Sequence, residues 1–346
     1  MDGERGEAVE RRRRGATGFD LPSVLAQLDS TAPSDQRGAV RQIRTVIDEQ
    51  DRPAACVPTV PKLRALLERP DLDFREPVAA CLADLADEAP NDVAPSVDAI
   101  VAVATERAER PVTRELLRCL AAVATERPDA VADHTAAIAD VLAQRRGYDR
   151  WGLRTLARVS QAHPAAIEPT VPVLTDALAA NPVDNGRPAL RALGRLARSD
   201  ADMSSLEFVD YAAELVAHDD DALRYDALGC LSNVADRAPD AVASICSDLE
   251  AALSCDDPDT RAITAITIAR VAAARRAAVD PVRAALVELL ADDHAHVRAN
   301  ACAALGNGHV DAAAARLAAL SSGDSALTVR DRADRALEQL SYPAHS

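Results

Sequence analysis

The sequence predicts an all-α fold, a right-handed α-α superhelix of about nine helix pairs, and three observations support this prediction. An arginine recurs at intervals of 38, 39, 36, 37, 37, 37, 37 and 32 residues. A period of this size is typical of a solenoid of stacked helix pairs. The apolar residues, 48% of the chain, are mainly Ala, Leu and Val, which let helices pack closely. No stretch alternates apolar and polar residues as a strand would. The recurring arginines are Arg37, Arg75, Arg114, Arg150, Arg187, Arg224, Arg261, Arg298 and Arg330.

The helix pairs are expected to follow one another over residues 19–341, between an N-terminal arm (1–18) and a C-terminal tail (342–346). A proline often begins the first helix of a pair. Aspartates before the repeated arginine can cap the second helix. The predicted pairs are 20–30 with 35–50, 54–68 with 74–88, 92–108 with 111–126, 129–144 with 149–162, 165–180 with 186–198, 203–217 with 221–236, 240–254 with 258–274, 278–291 with 294–306, and 309–320 with 327–341.

Several first helices contain a further proline about one turn after their start. Because proline removes a backbone hydrogen bond, it bends a helix, and we expect a bend at the same place in successive pairs. These prolines are Pro58, Pro95, Pro169 and Pro281.

The period, the proline-bent first helix and the Asp-x-x-x-Arg entry to the second helix resemble HEAT repeats. The resemblance covers residues 19–341 and is strongest in Asp221–Val234, Asp257–Val271 and Asp293–Leu305. It implies that the aspartate and the arginine bridge neighbouring repeats. The repeat arginines Arg75, Arg114, Arg150, Arg187, Arg224, Arg261 and Arg298 are therefore expected to be structural.

The chain is acidic, with a formal net charge of −16 and a pI near 4.9, and Lys62 is the only lysine among 39 basic residues. An acidic surface with arginine in place of lysine resembles proteins of salt-loving archaea, where concentrated potassium chloride screens repulsion between carboxylates. A GC-rich genome, which favours Arg and Ala, is the alternative explanation.

The seven cysteines show neither Cys-x-x-Cys spacing nor a disulfide framework. They are predicted to be small core residues in a reducing compartment, which indicates the cytoplasm. No segment approaches 18 uninterrupted apolar residues, so no membrane span is expected.

Known enzymes built from HEAT repeats provide three comparisons. Hydroxylases of this kind hold iron with paired His-Glu dipeptides, and none occurs here. Enzymes that excise alkylated bases use several aromatic residues, whereas Trp151 is the only tryptophan. No cysteine-acid-aromatic constellation suggests a bilin lyase.

We expect no enzyme activity, no cofactor and no metal. The alternative is a zinc or nickel site formed by Asp292, Asp293, His294 and His296.

One arrangement of arginines suggests a binding site. In the second helices that begin near Arg114, Arg150 and Arg187, apolar residues lie three, six and nine positions after that arginine. Positions four, eight and eleven lie on the opposite face of a helix. In a solenoid this face commonly lines the concave side, so an arginine band is predicted there. The band consists of Arg118, Arg154, Arg158, Arg191, Arg195 and Arg198.

These patterns predict a non-catalytic protein–protein interaction scaffold or adaptor, whose arginine band receives an anionic partner such as an acidic segment of another protein. Alternatively, the arginines of the band are exposed to solvent and form ion pairs with acidic side chains of neighbouring repeats. The alternative functions are a HEAT-repeat enzyme, bilin lyase-like or metal-dependent, and a nucleic-acid-binding solenoid. A nucleic-acid-binding solenoid would use the arginine band or Arg11–Arg14. However, the negative net charge would repel nucleic acid, and high salt would weaken contacts to its phosphates.

Overall fold

The computed structural model of the protein describes residues 19–341, in which every regular element is an α-helix or a 3₁₀-helix. The predicted arm with Arg11–Arg14 and the predicted tail lie outside the described residues. The described chain divides into two compact units, residues 19–159 and 160–341. The all-α fold predicted from the sequence period is confirmed.

Unit 1 consists of successive helix pairs whose second helices are α2 (Pro33–Asp48), α4 (Arg75–Glu88), α7 (Val112–Glu126) and α10 (Arg150–Ala162). Helix α4 packs against both α2 and α7. The 3₁₀-helices Pro53–Thr59 and Ala94–Ser96 lead into α3 and α6. The α-helices are α1 (Leu21–Leu28), α2 (Pro33–Asp48), α3 (Val60–Leu67), α4 (Arg75–Glu88), α5 (Pro90–Val93), α6 (Val97–Glu106), α7 (Val112–Glu126), α8 (Asp129–Ala132), α9 (Thr135–Ala143) and α10 (Arg150–Ala162), within which the unit ends.

Unit 2 has the same architecture, and its second helices are α12 (Pro182–Arg198), α14 (Asp221–Arg237), α17 (Pro258–Ala274), α19 (Ala295–Asn307) and α21 (Leu327–Ser341). Each of these helices packs against the next one in the chain. The α-helices are α11 (Val171–Ala180), α12 (Pro182–Arg198), α13 (Phe208–Glu214), α14 (Asp221–Arg237), α15 (Pro239–Ala243), α16 (Glu250–Leu253), α17 (Pro258–Ala274), α18 (Arg283–Glu288), α19 (Ala295–Asn307), α20 (Ala314–Gly323) and α21 (Leu327–Ser341). The 3₁₀-helices are Pro164–Thr170, Leu215–Ala217, Cys246–Leu249, Arg276–Val282, Leu289–Ala291 and Asp311–Ala313.

Several first helices differ from the single bent helix that the prolines predict. Pro58, Pro169 and Pro281 each lie inside a seven-residue 3₁₀-helix that leads into an α-helix. Because proline has no N–H to donate, the first turns of these helices take 3₁₀ geometry instead of continuing the α-helical hydrogen-bond pattern.

Side chains cap the starts of three second helices in unit 2. Asp220 accepts from the N–H of Leu223 at 2.9 Å and Asp257 from that of Thr260 at 2.8 Å, so aspartate capping is confirmed there. Asn181 caps α12 in the same way, which starts this helix at Pro182 and not at the predicted residue 186.

The core is formed by the predicted apolar face of the second helices. In α7, α10 and α12 the residues three, six and nine positions after the repeat arginine are all 0% exposed. They are Leu117, Leu120, Val123, Leu153, Leu156, Val159, Leu190, Leu193 and Leu196. In these three helices the predicted apolar face is therefore fully buried.

The cysteines are free thiols, and six of the seven are buried as predicted, whereas Cys255 is half-buried. Burial raises the thiol pKa to about 11 at Cys56 and Cys246, and to about 12 at Cys81, Cys230 and Cys302. Thiols with such pKa values remain protonated near neutral pH, so these cysteines act as small core residues.

Most repeat arginines have structural partners. Five of them donate to the carbonyl oxygen six residues earlier, which fixes the loop between the two helices of a pair. The bonds join Arg75 to Arg69, Arg224 to His218, Arg261 to Cys255, Arg298 to Asp292, and Arg330 to Asp324.

The bridge that the HEAT resemblance implies is present in unit 2. Arg261 pairs with Asp292 of the next pair at 2.7 Å, and Arg298 pairs with Asp324 at 2.7 Å. The side chains of Asp292 and Asp324 are only 8% and 4% exposed. These arginines therefore link the loop of their own pair to that of the following pair.

Candidate functional site

In unit 1, Arg118 of the predicted band is engaged by neighbouring acids. Its guanidinium donates to Asp84 at 2.6 Å, to Glu115 at 2.9 Å and to Asp87 at 3.3 Å. It also donates to the carbonyl oxygen of Ala80 at 3.3 Å on the preceding second helix. Asp84 accepts in addition from Arg44 at 2.6 Å. Arg118 is therefore a link between α4 and α7, with its donors already used.

Arg158 of the band fixes the register of α10 against α7. Its guanidinium donates to the carbonyl oxygen of Ala121, 37 residues earlier. Arg145, in the loop before α10, donates at 2.7 Å to the carbonyl oxygen of Ala108, also 37 residues earlier. Because the offset is the same at both places, α10 runs alongside α7 in a constant register. Trp151 on α10 and Arg114 on α7 are likewise 37 residues apart, so they occupy equivalent positions of the two repeats.

Trp151 holds two arginines over its ring. The guanidinium carbon of Arg150 is 4.9 Å from the ring centroid, and that of Arg154 is 5.1 Å away. Both arginines are exposed, and neither makes an ion pair with a carboxylate in residues 19–341. A cation–π contact leaves the N–H groups of the guanidinium free to bind a partner.

The loop before α10 positions Trp151. Gly147 and Tyr148 have φ angles of 77° and 56°, in the left-handed region that a residue other than glycine seldom adopts. The carboxylate of Asp149 then accepts from the N–H of Trp151 at 2.9 Å and from Arg145 at 3.3 Å. The tight turn and the carboxylate together fix the first turn of α10.

Three further exposed arginines, Arg110, Arg114 and Arg146, have no ion pair among the described residues of unit 1. We call Trp151, Arg114, Arg150 and Arg154, with Arg110 and Arg146 beside them, the unit 1 arginine surface. Sequence reasoning placed Arg114 and Arg150 among the structural repeat arginines. The carboxylate of Asp149, beside Arg150 in the chain, is taken by Arg145 and the backbone N–H of Trp151.

In unit 2 the three predicted band arginines differ in their surroundings. Arg191 shares Asp226 with Arg187, at 2.9 Å and 3.2 Å. Arg195 donates to the hydroxyl of Ser160 at 3.1 Å, and burial, with the charges of Arg191 and Arg198, lowers its pKa. Arg198 is exposed. A polar pocket of about 320 Å³ is lined by Ser160, Gln161, Pro164, Arg195, Arg198 and Ser199.

The four possible metal ligands are not brought together around a common point. Asp292 accepts from Arg261 at 2.7 Å and from the N–H of His294 at 2.8 Å, which occupies its carboxylate. The ring of His296 lies 3.5 Å from Asp259, and Asp293 is exposed. Residues 19–341 contain no group of three or more His, Cys, Asp or Glu side chains placed to hold a metal ion.

Comparisons with known proteins bear on the fold. No family model matches the chain. No curated protein matches it. Among solved structures 285 chains match, including a crystal structure of an engineered protein from the Northeast Structural Genomics Consortium. That protein is 23% identical, with a TM-score of 0.72 over 92% of this chain and 88% of the other. The likeness supports the all-α fold alone.

No described helix has the length and apolar character that crossing a bilayer requires.

Proposed function

We propose that this chain is a non-catalytic scaffold or adaptor of the HEAT-repeat type that binds an acidic segment of a partner protein. The unit 1 arginine surface is the proposed site. One observation carries the proposal: Arg150 and Arg154 lie over the ring of Trp151 as exposed side chains without an ion pair in the described part of the chain. Arg114, at the equivalent position of the preceding repeat, is also exposed and has no ion pair there.

The charge of this surface is opposite to that of the chain as a whole. The formal net charge is −16, yet five exposed arginines lie on or beside the first turns of α7 and α10. Arginine binds a carboxylate through two parallel N–H donors. An acidic peptide segment fits both the sign and the geometry of these groups.

Trp151 supports the proposal because it restricts the movement of two binding arginines before a partner arrives. A long arginine side chain loses rotamer entropy when it is immobilised, about 0.5–1.5 kcal/mol for each such side chain. Contact with the indole ring removes part of that loss in advance. In contrast, Arg118 directs its donors to Asp84, Asp87 and Glu115.

Nucleic acid fits this surface less well than an acidic peptide. Sequence-tolerant binding of single strands depends on bases that stack on open aromatic faces. Trp151 already has two guanidinium groups over its ring. Concentrated salt would also weaken contacts to the phosphate backbone steeply.

The composition supports a cytoplasmic, halophilic setting for this scaffold. Acidic residues outnumber basic ones by 55 to 39, and lysine is nearly absent. The cysteines are free thiols, as expected in a reducing compartment. Concentrated salt weakens contacts between exposed charges, so arginines held in advance by Trp151 are an advantage there.

The test is affinity capture from the native host at its native salt concentration, with the wild-type chain and two triple variants as bait. The first variant is Arg114→Glu, Arg150→Glu and Arg154→Glu. We expect it to lose a protein that the wild type captures, because three guanidinium groups change sign at one surface. The captured protein should contain an acidic segment that binds the wild type as an isolated peptide.

The matched control reverses three other exposed arginines that lack an ion pair in the described chain: Arg41→Glu, Arg52→Glu and Arg276→Glu. Both variants have the same net charge, so a general charge effect would act on both. Capture of the same partners by the first variant as by the wild type would refute the proposed site.

A further inference from the structure

Two clefts of unit 2 are built from the same positions of the repeat. The polar pocket of about 320 Å³ at the ends of α10 and α12 is lined by six residues, and each has a counterpart 75 positions later that lines a larger cleft of about 420 Å³. The backbone therefore forms the same cleft twice, and the two clefts differ in their side chains. The residues of the polar pocket are Ser160, Gln161, Pro164, Arg195, Arg198 and Ser199, and their counterparts, in the same order, are Ala235, Asp236, Pro239, Arg270, Ala273 and Ala274.

The later cleft contains an acid for its arginine. Arg270 pairs with Asp236 at 3.1 Å and donates to the carbonyl oxygen of Ser232 at 2.7 Å. Ala273, the counterpart of Arg198, carries no charge. At these six positions the formal charges of the later cleft therefore cancel.

The polar pocket does not contain such an acid. Gln161 replaces Asp236 and Arg198 replaces Ala273, so the same six positions carry two positive charges and no negative one. Arg198 is exposed and has no ion pair in the part of the chain that the structure describes. Asp200 follows Ser199 in the chain but is exposed and does not line the pocket.

The pKa of Arg195 shows that positive charge is in excess at this pocket. Burial lowers this pKa most, and the charges of Arg191 and Arg198 lower it further. Asp226 opposes this change, but it raises the pKa by less than either arginine lowers it. Arg195 donates to the hydroxyl of Ser160 at 3.1 Å, and this neutral partner does not cancel its charge. An anion in the pocket would relieve the repulsion between the arginines.

The helix ends at the pocket also bear on its charge. The last carbonyl groups of a helix carry partial negative charge, which opposes an anion. At the end of α12, however, Arg237 donates to the carbonyl oxygen of Ser199 and, at 3.1 Å, to that of Ala201. This guanidinium offsets the negative end of α12 next to a residue that lines the pocket.

We propose that the polar pocket of unit 2 binds a phosphate group, either as free phosphate or as part of a small molecule. A guanidinium binds phosphate through two parallel N–H donors, and Arg198 is exposed beside Arg195 to do so. A phosphate monoester carries a charge of about −1.5 to −2 at pH 7, which matches two arginines, whereas a carboxylate would leave one of them uncompensated. The pocket volume of about 320 Å³ also leaves room for a few carbon atoms attached to the phosphate.

The test is isothermal titration calorimetry of the full-length chain with inorganic phosphate, glycerol 3-phosphate and acetate, at one constant ionic strength in potassium chloride. We expect saturable binding of both phosphate compounds at one site and no binding of acetate. Tighter binding of glycerol 3-phosphate would identify a phosphate ester as the occupant, and equal binding would identify free phosphate. Both results support a phosphate site.

Two variants test the pocket itself. Arg198→Ala should weaken phosphate binding at least about tenfold, because it removes hydrogen bonds from a charged donor. Gln161→Asp gives the pocket the acid that the later cleft has, and it should weaken binding to a similar extent, because a carboxylate at this place repels phosphate. The matched controls are Arg276→Ala and Gln144→Asp, which make the same changes at exposed positions outside the pocket and should leave binding unchanged.

Three results would overturn the proposal: no saturable binding of phosphate to the wild type, binding of acetate as tight as that of phosphate, or phosphate binding that Arg198→Ala and Gln161→Asp leave unchanged. Thermal unfolding of each variant at the same salt concentration checks that it is folded. The site is separate from the unit 1 arginine surface, because Arg114, Arg150 and Arg154 do not line this pocket. Failure of one proposal therefore leaves the other intact.

Discussion

The arginines of this chain differ mainly in what their guanidinium groups bond to. Arg261 and Arg298 donate to a carbonyl oxygen of their own loop and to an aspartate of the next pair. Arg114 occupies the same position of its repeat but is exposed and has no ion pair in the described chain. The residue type is identical, so the surrounding carboxylates decide whether the side chain is structural or available to a partner.

The buried aspartate–arginine pairs predict an acid-sensitive fold. Hydrogen bonding from Arg298 lowers the pKa of Asp324. Burial opposes ionisation of Asp292, but hydrogen bonds from Arg261 and from the N–H of His294 lower its pKa overall. Because both pKa values are lower in the folded chain, ionisation of these groups stabilises it above the ordinary value of 3.8. This contribution is lost as the pH falls from 3.8 through the folded pKa values.

We therefore expect the Asp292→Asn, Asp324→Asn double variant to be destabilised at pH 7, by about 1–3 kcal/mol for each pair broken. Its denaturant midpoint should also fall less than that of the wild type between pH 5 and 2.5, where the lost groups would have titrated. Asp73→Asn is the control, because Asp73 is 68% exposed and pairs at the surface with Arg37. An unchanged pH dependence in the double variant would contradict the prediction.

At the scale of elements, α19 and α21 approach each other closely at Gly306. A Cβ atom at this position would lie 2.7 Å from both the Cα and the Cβ of Ala336. Such a distance is too short for two carbon atoms, so the helices would have to move apart. Gly229 in α14 is different, because a Cβ there would meet nothing within 4 Å.

This contrast predicts opposite effects of the same substitution. Gly306→Ala should destabilise the chain by about 1–3 kcal/mol through overpacking between α19 and α21. Gly229→Ala should stabilise it by roughly 0.5–1 kcal/mol, since alanine is the better helix former. Denaturant unfolding of both variants checks the prediction, and equal midpoints would show that the close approach at Gly306 is not maintained in solution.

For the whole molecule, the excess of acids over bases is the dominant electrostatic feature. Many carboxylates are paired with arginines, but a formal charge of −16 remains to repel itself at low salt. At molar salt the screening length is only about 3 Å, which removes most of this repulsion. Stability should therefore depend on the salt concentration.

We expect the thermal midpoint of the wild type to rise steadily between about 0.1 M and 3 M potassium chloride as this repulsion is screened. A parallel series in sucrose provides the control, because sucrose favours burial of apolar surface without screening charge. A midpoint that does not change with potassium chloride, or that rises equally in sucrose, would exclude a halophilic origin for the acidic composition.

The sequence by itself determined the fold class, the repeat and much of the core. The arginine period located the second helices, and the apolar positions of α7, α10 and α12 are buried where their spacing predicted. Six cysteines are buried as expected. These features follow from the sequence because helix formation and apolar burial depend on residues three or four positions apart, which the sequence displays directly.

Only the tertiary structure decided which arginines remain available. Six arginines on one predicted helix face looked equivalent, yet Arg118 is engaged by three acids and Arg154 lies over Trp151. A guanidinium ends a long side chain and can reach acceptors some 30 to 40 residues away in the chain, as the 37-residue bond from Arg158 to Ala121 shows. Its partner therefore depends on how neighbouring repeats pack, and helical periodicity within one repeat contains no information about that packing.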